Sequence, residues 1–177
     1  MKYSEVTVHS SIILAKCMLE RGIRAYIGKL SMDISSRPTY KEADARSSLA
    51  SVASFADKCH ALTKHLPEHD KIVEPILTPR FVPTCSNDLL KGLGELSKDR
   101  GLKVQSHLAE AHDQVQWVKK ERGLDDIEVF EQVCGTCFQD DRYFIAYIST
   151  HSAWSLDLTY NSSSLHLSPT AIPPEIG

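Results

Sequence analysis

Residues 86–107, SNDLLKGLGELSKDRGLKVQSH, decide the fold. Ser86 is placed to cap a helix, because its hydroxyl oxygen accepts a backbone N–H that the first turn leaves unpaired. Leu89, Leu90, Leu93 and Leu96 then recur at helical spacing and make one apolar face. Arg100-Gly101 ends the helix, since glycine enters the left-handed conformation at a helix C-terminus without a Cβ clash. Leu102 to Ser106 follows at once as a short strand.

The same punctuation recurs on either side. Arg21-Gly22 closes a helix read from Ser4 to Arg21, on which Ile12, Ala15 and Leu19 share a face. Ile23 to Gly28 then reads as a strand, and Ser31 to Pro38 as a loop. A long helix is expected from about Lys41 to His65, with Val52, Phe55, Ala56, Cys59 and Leu62 inward. Lys71 to Leu77 is the next strand. Downstream, a helix begins near Ala111, buries Val115 and Val118 and stops at Gly123. Asp125 to Cys134 reads as a further short helix, and Tyr143 to Ile148 as a further strand.

Strands alternating with helices imply parallel βαβ units. They form either a doubly wound sheet or part of a (β/α)8 barrel. A doubly wound, flavodoxin-like domain is disfavoured by the lack of a phosphate loop after the first strand. The expected fold is therefore α/β: a partial (β/α)8 TIM barrel of about three βα units, spanning residues 1–135. Residues 136–177 are expected to be an irregular tail. From Ser149 to Ser168 they hold seven serines without a period, and Pro169, Pro173 and Pro174 follow.

The composition excludes several classes of function. The chain has 177 residues, 42 % of them hydrophobic and 24 % charged, which suits one globular domain with a sizeable core. A net charge of −3 without a basic stripe speaks against nucleic acid as a partner. No apolar run approaches a membrane span, and the N-terminus has no signal-peptide pattern. Five irregularly spaced cysteines fit a reducing, cytoplasmic setting rather than a disulfide framework.

Four residues stand where a parallel α/β fold builds sites, at strand C-termini. His107 directly follows a strand; it is either a zinc ligand or a histidine hydrogen-bonded at a strand end. Glu110, three residues on, is either a general acid–base group or an ordinary first-turn helix acid favoured by the helix dipole. Arg80-Phe81 follow another strand. They offer a planar two-donor fork and an aromatic face, which suit a purine, or else a surface arginine beside a half-buried phenylalanine. Cys134-Gly135-Thr136-Cys137 together with His107-Leu108-Ala109-Glu110 imitates the nucleoside-deaminase zinc signature. It fails at both halves: H-x-E is one residue too long, and Val133 stands where proline belongs.

In this order, Thr78-Pro79-Arg80-Phe81, Cys85-Ser86 and Gln105-Ser106-His107-Leu108-Ala109-Glu110 resemble the guanine deaminase family of the amidohydrolase superfamily. Arg24 to Lys29, Met32-Asp33 and Tyr40-Lys41-Glu42 extend the likeness, which covers about Tyr3 to Val133. The resemblance implies a zinc-containing barrel that hydrolyses guanine to xanthine and ammonia, a hydrolase acting on a cyclic amidine C–N bond. It implies that His107 binds the metal, that Glu110 is the catalytic acid–base group, and that Arg80 and Phe81 hold guanine. A homodimer is also implied. The family metal site further needs an H-x-H pair, a later histidine and an aspartate, and none of these is matched here. A catalytic zinc takes about three protein ligands plus water. The expectation is therefore an internal fragment with an unrelated ending, inactive alone. The alternative is a non-catalytic half-barrel that binds a partner subunit or a purine.

Overall fold

The computed structural model describes residues 3–134 and 144–147. The elements run α1 (Tyr3–Glu20), β1 (Ala25–Ser31), α2 (Ala45–Thr63), β2 (Val73–Pro79), α3 (Asn87–Arg100), β3 (Val104–His107), α4 (His112–Arg122), α5 (Asp126–Cys134) and β4 (Phe144–Tyr147). The strands form one parallel sheet in the order β1-β2-β3-β4. The expected parallel α/β architecture is thus present. Phe144–Tyr147, inside the expected tail, is a fourth strand, in register with β3 from Val104↔Phe144 to His107↔Tyr147. The serine-rich stretch and the final prolines lie outside the described residues.

The capping signals act as their chemistry demands. Ser86 Oγ accepts the Leu89 backbone N–H at 3.1 Å. Gly22, Gly101 and Gly123 have φ of +67°, +64° and +70°, the left-handed region that lets each helix close on glycine. Two apolar clusters cement the helices to one sheet face. Val8, Ala15, Ile27, Phe55, Cys59 and Val73 join α1 and α2 to β1 and the start of β2. Leu77, Leu89, Leu90, Leu93, Val104 and Phe130 join α3 and α5 to β2 and β3. Among the described residues no helix is long and apolar enough to cross a membrane, and Cys17, Cys59 and Cys85 form no disulfide.

The other sheet face carries Gly28, Thr78 and Gln105 across three strands. Gln105 Nε2 donates to Thr78 Oγ1 at 2.9 Å. A Cβ on Gly28 would lie 1.7 Å from that same oxygen, so only glycine allows β1 and β2 to pair here. Below this layer Lys103 Nζ sits 4.0 Å from the Tyr26 ring centroid and 3.9 Å from Glu74.

Two of the boundaries that differ from expectation share one reason. β1 was expected to end at Gly28, yet it runs on to Ser31 with Lys29 fully buried. α2 was expected from Lys41 but starts at Ala45. Glu42 turns inward instead and binds Lys29 Nζ with one carboxylate oxygen and the Met32 N–H, at 3.0 Å, with the other. Burial is the main influence on Lys29 and lowers its pKa. A lone charge buried this deeply would be very costly, so the partner is obligatory.

Asp126, at the start of α5, is also buried, and Gln114 donates to it at 3.3 Å. Burial raises its pKa from 3.8 to about 6. The folded state therefore holds the extra proton between those pH values, and stability falls as pH rises through that window. We expect the decline to amount to about 2–3 kcal/mol. Asp126→Asn, which keeps an acceptor for Gln114, should flatten it in urea unfolding run from pH 4 to 7. At Glu42, replacement by alanine should cost about 3–5 kcal/mol by leaving Lys29 unpaired. Adding Lys29→Met should restore part of that loss in the same assay, whereas a further fall would show that the pair is not the cause.

Candidate functional site

The four sequence-selected residues gather where the strands end, and backbone register brings them there. Arg80 N donates to Ser31 O at 3.0 Å, and His107 N donates to Arg80 O at 3.1 Å. The tips of β1, β2 and β3 are thereby laced side by side. Ser106 Oγ also reaches Arg80 O, at 3.4 Å.

His107 and Glu110 meet as expected. α4 begins at His112, next to the expected start near Ala111, so no helical turn joins the two residues. Residues 108–111 form a turn in which Ala109 takes φ +45°, a conformation that costs a residue with a Cβ about 1–3 kcal/mol. The turn folds Glu110 back, so that its Oε1 lies 3.0 Å from His107 Nδ1. Glu110 is therefore not a first-turn helix acid. A carboxylate on one ring nitrogen fixes the imidazole tautomer and orientation, which is how metal-binding histidines are usually held from behind.

Arg80 and Phe81 lie in the β2–α3 connection. The guanidinium carbon is 5.1 Å from the Phe81 ring centroid and 6.0 Å from that of Tyr40, while Nη1 points at Met32 Sδ at 3.8 Å. Tyr40 is supported edge-on by Tyr3, with centroids 5.3 Å apart and planes at 69°. Burial, followed by neighbouring Tyr40, raises the Tyr3 pKa, and Arg80 opposes that. Tyr40 and Met32 had no role assigned from sequence. Only the tertiary fold places the segment between β1 and α2 beside Arg80.

That segment is fastened to the β2–α3 connection. Asp33 N and Ile34 N both donate to Thr84 O at 3.1 Å. The Asp33 carboxylate accepts from Ser86 N at 2.8 Å and from Ser86 Oγ at 2.5 Å. Lys41 Nζ donates to Asp33 O at 2.8 Å. Cys85, fully buried beneath, donates from Sγ to Ser31 O at 3.4 Å, and burial pushes its thiol up to about 12. A thiol so inert is structural.

A zinc site does not fit this arrangement. Among the described residues no three His, Cys, Asp or Glu side chains lie close enough to hold a metal, and a catalytic zinc needs about three. The pair His107 and Glu110 falls short.

Comparison with known proteins agrees with the geometry. The chain is 37 % identical to a guanine deaminase from Dictyostelium discoideum over 117 residues, which are 66 % of this chain and 24 % of that protein. It thus spans about a quarter of the length of the curated relatives it matches. A crystal structure of guanine deaminase from C. acetobutylicum with bound guanine superimposes with a TM-score of 0.66 at 33 % identity, covering 82 % of this chain and 32 % of that one. A zinc-complexed atrazine chlorohydrolase from Arthrobacter aurescens TC1 shares the fold, with a TM-score of 0.60 at 18 % identity over 75 % of this chain and 28 % of that one. The sequence profile described as "Amidohydrolase family" matches residues 1–152. With parallel strands whose tips present a histidine–carboxylate pair beside an arginine–aromatic pair, and with that match over most of its length, the chain belongs to the amidohydrolase family.

Proposed function

We propose that the described residues are the guanine-gripping part of a guanine deaminase-type site, and that they bind guanine without turning it over. The observation that carries this is the hydrogen bond from His107 N to Arg80 O, which sets the two pairs on adjacent strand tips. Arg80 donates two parallel hydrogen bonds to O6 and N7 of guanine, the pattern by which arginine recognises that base. Phe81 stacks on the ring. Glu110, held by His107, faces the same end of the sheet, where the family reaction would take its proton carrier. On this reading the four strands are consecutive strands of a (β/α)8 barrel, and the protein works in the cytoplasm.

The family reaction adds water to guanine and releases ammonia, giving xanthine. A zinc ion supplies the activated water in such chemistry. The ligand set described above cannot hold one, so no hydrolytic step is assigned to these residues.

Calorimetric titration of the 177-residue chain with guanine tests the proposal. We expect saturable binding, at least tenfold weaker in Arg80→Ala, as the loss of a bidentate contact predicts. We also expect no xanthine and less than one zinc per chain by elemental analysis. Binding indifferent to Arg80→Ala would refute the assigned grip, and xanthine formation with stoichiometric zinc would refute the claim of binding without turnover.

A further inference from the structure

The segment between β1 and α2, residues 32–44, has no apolar periodicity and would be a loose loop if local pattern alone ruled it. It is instead fastened from several sides. Glu42 N donates to Met32 O at 2.9 Å, closing the segment on itself. The Glu42 carboxylate takes Lys29 Nζ, the Met32 N–H and, at 3.4 Å, Ser51 Oγ. Asp33 is tied to Ser86 and Thr84. This anchorage holds out Tyr40, which remains 47 % exposed. A half-exposed aromatic ring adds little to the core, yet a fully buried ion pair and a second tyrosine hold it beside Arg80.

We propose that Tyr40 is a binding residue of the purine site, a second aromatic wall in addition to Phe81. A planar base that pairs with the guanidinium edge continues the plane of the guanidinium. Rings in contact with the guanidinium are then placed to touch the base as well. Tyr40 and Phe81 are the two aromatic rings found near the Arg80 guanidinium among the described residues. The ligand class is a planar, aromatic heterocycle with adjacent acceptors for Arg80. The inference rests on the guanine-binding reading given above.

The test is guanine titration of Tyr40→Ala and Tyr40→Phe, run beside wild type and Arg80→Ala. Loss of one base–aromatic contact should weaken binding roughly tenfold in Tyr40→Ala. Tyr40→Phe should bind within about twofold of wild type, since it keeps the ring face. The urea midpoint of both variants should match wild type, because the side chain is half exposed. Should Tyr40→Ala unfold, Tyr40→Leu, which keeps bulk without a π face, decides the matter by the same tenfold weakening. If Arg80→Ala loses binding while Tyr40→Ala and Tyr40→Leu keep it, Tyr40 is no wall and only this inference falls. If wild type does not bind guanine, or binds it regardless of Arg80, both proposals fall together.

Discussion

A lysine and a glutamate, both sealed from solvent, organise the end of the molecule where the candidate site lies. Lys29 occupies a helix-facing position of β1, where an apolar side chain would be the ordinary choice. Its charge cannot stay there alone, so Glu42 must reach in from beyond the strand, and residues 32–41 must follow the path that this contact dictates. A buried ion pair of this kind adds little net stability over a well-packed apolar pair. What it contributes here is definition: it selects one course for a segment whose composition would permit many. Asp33, Lys41 and Tyr40 take their places from that course.

Backbone register does the same for the other half of the site. Parallel pairing aligns the ends of β1, β2 and β3, and two hydrogen bonds along that edge leave Arg80 and His107 on neighbouring tips. The fine placement of Glu110 then costs something. Ala109 adopts a left-handed conformation that alanine resists, and the return is a carboxylate against the His107 imidazole. Strain at a point where two ionisable side chains converge is typical of functional sites, where surrounding structure holds a residue in an unfavourable state.

The two halves of the site differ in how complete they are. On the proposed reading the purine side has a cationic fork, two aromatic rings and a firm scaffold. The proposed metal side has, among the described residues, one imidazole oriented by one carboxylate, against the three ligands that catalysis on zinc requires. In (β/α)8 barrels the functional residues come from several strands, and the chain spans about a quarter of its curated relatives' length.

The sequence alone determined the parallel α/β architecture, the helix ends at Gly22, Gly101 and Gly123 and the Ser86 cap, because each is written in local spacing or in one residue's backbone preference, while the four candidate residues stood out by their places near strand ends and by family resemblance. It misplaced the end of β1 and the start of α2, because the burial of Lys29 depends on a carboxylate 13 positions away. It gave no sign of the strained turn at Ala109, since nothing local announces that conformation. It gave Tyr40 no role in the site, because contact with Arg80, 40 positions on, exists only after two connections fold over the same sheet edge. Short-range periodicity and capping survive in a string of letters. Pairings between distant charges, rings and strand ends arise only when the chain closes on itself, and the tertiary structure alone decided those.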